Sequence, residues 1–307
     1  MNNPEAARFQ SIGEIFDRAV SVMLKNFLPL SLAYGIVILP LRVVVDWLNR
    51  AYQVRQASAV GAVITNPQLV AQFFRLSYDP NDRFSLGDAV RIALEMIVGA
   101  LAAGVFAAVT IRVLRGERPD TFNAFPRALN LWFRLAVLHF ATLFLLVLSF
   151  AGGVAIWIFL WNFWPSFREP DSAAALTLAM SLLLACIFAA CYYCAFGAVA
   201  VDDRRIGSAA RLAWKMTTVR ALRSRSLAFG SALVACYVIG ALFSLAVEGI
   251  ADLLFHHVAA GVALRELFTL EVGVLIGVAG IVFYLDAKAR YSAIQDAVQN
   301  RENSAAR

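Results

Sequence analysis

The sequence predicts an all-α polytopic membrane protein: six transmembrane helices, amphipathic interfacial helices, and a threefold pattern of one such helix followed by a two-span hairpin. Three observations carry this reading. Of 307 residues, 61% are hydrophobic and only 16% are charged, with a mean hydropathy of +0.70; a soluble chain keeps roughly 25% charged residues to wet its surface. Six stretches are long and apolar enough to cross a hydrocarbon core of roughly 30 Å, which takes about 20 helical residues. The basic residues fall on alternate sides of those stretches, as membrane insertion dictates. An ordinary soluble domain is excluded.

Taken in order, Ser11 and Glu14 have the S-x-x-E spacing of a capping box, which satisfies two N–H groups at a helix start. Ile12, Ile15, Phe16, Ala19, Val20, Met23, Leu24 and Phe27 then recur at helical spacing, with Glu14, Asp17, Arg18 and Lys25 off that stripe, so the segment reads as an amphipathic helix lying in the interface. The first span, 27–45, is interrupted only by Arg42. An outer loop, 46–88, holds turn signals at Asn66-Pro67 and at Asp79 to Asp82, a short helix from Gln68 to Leu76, and a second capping pattern at Ser85 and Asp88. The second span, 92–111, contains one charge, Glu95. The spans 135–160, 173–201 and 227–247 contain none, and the sixth, 267–285, carries Glu271 near its start. Together, 1–290 is expected to be one membrane domain, with 291–307 a cytoplasmic tail.

Amphipathic material like that before the first span recurs before the third, from Phe122 to Trp132, and before the fifth, from Ile206 to Trp214. Superposing Arg18-Ala19-Val20, Arg127-Ala128-Leu129 and Arg211-Leu212-Ala213 gives the threefold pattern, with unequal spacings absorbed by insertions in the outer loops. The pairs Gly273/Gly277 and Ala100/Gly104 have the small-xxx-small spacing that lets helices approach closely in lipid.

Charge sets the orientation. The N-terminus, the second-to-third loop, the fourth-to-fifth loop and the tail together hold 19 of the 27 basic residues. Positive charge stays inside, so both termini are expected in the cytoplasm. The start MNNPEAARFQ lacks the basic region of a cleavable leader, and none is expected. The net charge of +6 and pI near 9.4 then point to anionic lipid on the inner face, with no role for nucleic acid. The residues assigned to that lipid are Arg204, Arg205, Arg211, Lys215, Arg220, Arg223 and Arg225, with Trp214 and Met216 dipping into the interface.

Few residues suggest chemistry. Cys186, Cys191, Cys194 and Cys236 all lie in predicted spans, where free cysteine behaves as a small hydrophobe. Glu95 sits about one turn inside its span and four residues after Arg91, within reach of it and of the interface. His139, in the first turns of the third span, reads as an interhelical hydrogen-bond partner. Glu248, Asp252 and His256 share one helical face at i, i+4 and i+8, and carboxylate plus imidazole is a competent donor set for zinc or another divalent metal. Polar residues also gather at the wet ends of spans, which accounts for the same stripe without a metal. There is no phosphate loop, nucleophile elbow or H-E-x-x-H, so no enzyme activity and no cofactor are expected.

The segment Ile12-Gly-Glu-Ile-Phe-Asp-Arg-Ala-Val, followed by Lys25-Asn26-Phe27-Leu-Pro29, resembles six-span bacterial proteins of the glycerophosphoryl diester phosphodiesterase membrane-domain type. Ile206-Gly207-Ser208-Ala209-Ala210-Arg211-Leu212-Ala213-Trp214 is similar to the corresponding cytoplasmic segment of that group. In fused members the hydrolase is a separate soluble barrel, so the resemblance implies a membrane domain without that activity. The expectation is a non-enzymatic protein of a bacterial inner membrane: a scaffold, partner-binding or lipid-associated module. A small-solute or ion transporter is the alternative, and an intramembrane metalloenzyme resting on the Glu248 stripe comes third. No protein partner or oligomeric state follows from the sequence.

Overall fold

The computed structural model describes residues 10–52, 86–163, 170–255 and 258–305, and among these every regular element is helical. The elements are α1 (Ile12–Lys25), α2 (Phe27–Tyr52), α3 (Leu86–Leu114), a 3-10 turn (Phe122–Ala124), α4 (Phe125–Phe163), α5 (Pro170–Ala200), α6 (Ile206–Thr218), α7 (Arg220–Phe255) and α8 (Val258–Ala305). Each predicted span falls within one of the six long helices, except that Val201 lies one residue past α5. Among the described residues, five helices are long and apolar enough to cross a membrane by themselves, and the bent pair α1–α2 makes up to six. The protein is an all-α polytopic membrane protein. The outer-loop turns, the Gln68 to Leu76 helix and the cap at Ser85 lie outside the described residues.

The capping box at the start of α1 forms as the spacing predicts: Ser11 Oγ accepts from the Glu14 N–H, and the Glu14 carboxylate accepts from the Ser11 N–H. The helix ends at Asn26, whose backbone (φ −129°, ψ 33°) leaves the helical region, and the chain turns by 86° into α2. Ile15 and Ala19 are fully buried, with α1 laid mainly against α8, whereas Leu24 is 70% exposed. A comparable break separates α6 from α7 at Val219 (φ −55°, ψ 129°). The middle unit differs. Its Phe122 to Trp132 segment is a 3-10 turn continuing straight into the 39-residue α4, and Pro126 sits in the first turn, where proline does not interrupt the ladder.

The spans themselves are unbroken. α2 runs through Pro29 and Pro40, and α4 through Gly152-Gly153, without interruption. α8 continues past its span as one helix to Ala305, most of whose last two turns are exposed.

Chain neighbours make the most extensive contacts, α7 with α8, α4 with α5, α3 with α4 and α2 with α3; α5 against α7 and α8, and α8 against α2, close the bundle. The inside is built from small residues and the outside from large apolar ones. Ala100, Ala102, Val105, Ala198, Val278 and Ala279 are fully buried, while Phe133, Phe144, Tyr237, Leu242 and Phe243 are exposed. In water that surface would drive aggregation; in lipid it is the solvated face, and helices associate through close packing instead. Glycine supplies several of the contacts. A Cβ on Gly104 would lie 3.2 Å from Ala128 Cα, and one on Gly277 would lie 2.5 Å from Phe106 Cε1, so one glycine of each small-residue motif serves packing within the chain. Aromatic rings fill the layer beneath α1: Phe229 and Phe283 stack at 3.8 Å and 6°, with Phe16 6.0 Å from Phe229. Such pairs contribute about 0.5–1.5 kcal/mol beyond the area they bury.

Candidate functional site

Two polar regions stand out in this apolar bundle, and they lie at different levels. The first joins the C-terminal end of α5 and the N-terminal end of α7 to the middle of α8, beside the start of α1. Asp202, just past α5, accepts from Lys288 Nζ at 2.7 and 2.8 Å and from the Tyr284 hydroxyl at 2.6 Å, with Arg204 Nε 3.8 Å away. Burial pushes its carboxyl up, but the hydrogen bonds from Lys288 and Tyr284 and the charges of Lys288 and Arg204 outweigh this and hold it below the usual carboxylate range. Its folded-state value being depressed, Asp202 favours the folded state above the ordinary carboxylate pKa, and that contribution is lost as pH falls through the lowered value. Beside it, Asp203 takes up φ 54°, a left-handed conformation that aspartate tolerates better than most residues, and receives Arg134 at 2.6 Å. Arg127 donates to Ala200 O at 2.9 Å, placing a cation on the last carbonyls of α5.

Asp286, one turn before Arg290 on α8, is the deepest carboxylate of this layer, its side chain only 7% exposed. It accepts from Arg225 at 2.9 Å, Arg290 at 2.8 Å and the Gln10 N–H at 3.0 Å; the Gln10 carbonyl in turn accepts from both arginines. The cluster is a structural clamp that ties the approach to α1 onto α7 and α8.

The second region is a cavity of about 510 Å³ inside the bundle, within the roughly 300–1,000 Å³ of small-molecule pockets. α2 contributes Tyr34, α3 Ala103 and Phe106, α4 His139, and α5 Tyr192, Tyr193 and Phe196. α7 contributes the stretch from Tyr237 to Leu245, and α8 the stretch from Arg265 to Gly277. Gly273 opens the α8 wall: a Cβ there would meet only Tyr34 Cε1, at 3.9 Å. One end of the cavity is aromatic. His139 Nδ1 lies 2.7 Å from Leu135 O on its own helix, and Nε2 lies 3.2 Å from the Tyr192 hydroxyl on α5. His139 is thus an interhelical hydrogen-bond partner, as the sequence leads one to expect. At the other end, Arg265 donates to Glu266 from Nε at 3.2 Å and from Nη2 at 3.0 Å, with Glu266 6% exposed. Nearby, Ser244 donates to Ala241 O and Thr269 to Arg265 O.

The residues the sequence singles out are distributed otherwise. Glu248 and Asp252 lie on the last turns of α7, but their side chains, like that of Glu95, fall outside what is described, and His256 is outside the described residues. Among the described residues no group of three His, Cys, Asp or Glu side chains is placed to hold a metal ion. Of the seven basic residues assigned to lipid, Arg204, Arg205, Arg211, Lys215, Arg220 and Arg223 are exposed, as is Trp214. Met216 is buried and does not dip outward. Arg225 is a correction too: its side chain is 15% exposed and turned inward onto Asp286, because a buried carboxylate on α8 faces that position of α7. Glu271 accepts from Ser31 at 3.0 Å and joins α8 to α2. Sequence reasoning missed Arg265, Glu266 and the tyrosines of the cavity. The available signal was an opposite-charge pair directly before a span and the Tyr192-Tyr193 doublet inside one.

The fold defines a class, a multi-pass helical membrane protein, and this one has a partly open cavity between its helices. No known protein family, no curated protein and no solved structure matches the chain.

Proposed function

We propose that this chain is a non-enzymatic binding module of a bacterial inner membrane that houses a small lipid-soluble ligand among its spans. One observation supports it above all: the cavity, walled by six helices and bordered on α7 by Tyr237 and Leu245, which line it and are 67% and 42% exposed. An entrance on that flank suits a ligand that partitions into the bilayer. Solute transport, the alternative, draws on the same cavity but calls for a path from end to end. Both termini lie in the cytoplasm in this reading, on the strength of the basic loops. The six exposed basic residues around Trp214 then rest on anionic lipid. The resemblance to the phosphodiesterase membrane domains belongs to the same proposal, as a membrane domain acting without a hydrolase.

Native mass spectrometry of the full chain tests the reading. Protein released from membranes in mild detergent is expected to retain a non-covalent adduct. Gly273→Leu, which grows into the cavity, loses that adduct, and Gly273→Ala, with room for its methyl group, retains it. An adduct equally abundant in all three chains, or absent from all, would overturn the proposal.

A further inference from the structure

We propose that the ligand is an uncharged amphiphile with a planar ring carrying acceptor oxygens, of the quinone class, and an apolar tail; this rests on the binding-module reading above. Three properties of the cavity lead there. The first is charge. The described lining holds one cation, Arg265, and one anion, Glu266, 3.0 Å apart, and both His139 nitrogens lie within hydrogen-bond distance of a partner, Leu135 O and the Tyr192 hydroxyl. A ligand with net charge would lose its hydration there and gain no countercharge.

The second is shape. Seven lining residues carry rings, against three with branched aliphatic chains, Leu245, Val272 and Ile276. An acyl chain has no use for such a ratio, whereas a further ring packs on aromatic faces and edges. The rings are already set edge to face: His139 on Tyr192 at 5.7 Å and 81°, Tyr192 on Tyr193 at 5.0 Å and 83°, and Tyr34 on Phe106 at 6.1 Å and 81°. Tyr193, a lining residue, carries a phenolic hydroxyl, and a phenol donates to a carbonyl oxygen. The third is the exit. Tyr237 and Leu245 border the flank of α7 that exposes Val238, Ile239 and Leu242, an apolar track along which a tail leaves into lipid.

The experiment titrates the full chain in detergent with three probes and reads saturable binding and the apparent unfolding temperature. Decylubiquinone has an uncharged ring and a tail, monoolein has a tail without a ring, and tetraphenylphosphonium has rings and a charge. Decylubiquinone is expected to bind saturably and raise the unfolding temperature, and the other two to do neither. Gly273→Leu should weaken decylubiquinone by about tenfold or more, the scale of overpacking a filled site. Tyr193→Phe, which keeps the ring, should weaken it by about three- to tenfold through the loss of one donor. Failure of decylubiquinone to bind, or binding unchanged by Gly273→Leu, overturns the proposal. Monoolein binding that Gly273→Leu abolishes also overturns the ring assignment while leaving the binding module standing; loss of the native adduct in every chain removes both.

Discussion

Asp286→Ala is expected to lower the apparent unfolding midpoint of the detergent-solubilised chain by roughly 5–10 °C, from a loss of about 3 kcal/mol. The magnitude follows from what is left behind. Asp286 takes hydrogen bonds from Arg225, Arg290 and the Gln10 N–H, and its side chain is 7% exposed against 15% and 22% for the two arginines. Removing the carboxylate leaves two guanidinium groups facing each other, largely out of water, and breaking a buried pair from one side is far more damaging than replacing both members. Arg225→Met in the Asp286→Ala background is therefore expected to restore part of the loss, a coupling that a double-mutant cycle reads directly. Size-exclusion chromatography after a heating series measures it. A shift of less than about 0.5 kcal/mol for Asp286→Ala would show that the clamp contributes no more than an ordinary surface pair.

Gly230→Leu is expected to have the larger effect, abolishing recovery of a monodisperse chain. A Cβ at this position of α7 would lie 1.8 Å from the backbone oxygen of Cys186 on α5 and 2.7 Å from its carbonyl carbon. Backbone cannot swing aside as a long side chain does, so α7 would have to move off α5. Gly230→Ala should already destabilise by about 1–3 kcal/mol, although alanine favours the helix by nearly 1 kcal/mol over glycine. Gly152 and Gly207 serve as controls, with nothing within 4 Å of a Cβ. Alanine at either should change stability by no more than about 0.5 kcal/mol in the unfavourable direction. Equal tolerance at Gly230 and Gly152 would contradict the close approach of α5 and α7.

These positions also show where sequence reading stops. The spans were legible because a hydrocarbon core imposes one simple rule, a long run without charge, and each such run lies in one long helix. The start of α1 was legible because a capping box is a local pattern of four residues. Helix contacts across the chain were not. The glycine motif at 273 and 277 signals close packing, yet only Gly277 meets a neighbour tightly while Gly273 opens a cavity; Gly230, the tightest approach among the described glycines, pairs at i−4 with Ser226, a spacing too common in an apolar helix to single it out. Arg225 looked like one more cytoplasmic cation because its partner Asp286 lies 61 residues away. The second unit's short helix merged into α4 because the segment lacks a residue that leaves the helical region, as Asn26 and Val219 do in the other two. The cavity was invisible for a general reason. Tyr34, His139, Tyr192, Tyr237 and Glu266 come from five different helices, each plausible as an ordinary span residue, and only packing brings them to one wall.

A chamber between the spans that a lipid-soluble molecule can enter would make a cysteine at position 273 reactive. In a chain whose four native cysteines are replaced by alanine, Gly273→Cys lines the cavity, whereas Ala107→Cys sits on α3 at a packed site that is 1% exposed and outside it. With detergent-washed protein reconstituted into vesicles and treated with N-ethylmaleimide, a small membrane-permeant thiol reagent, the account predicts that position 273 is modified and position 107 is not. Equal protection of both, with the protein folded and monodisperse, would mean that the spans close on one another and that no chamber exists.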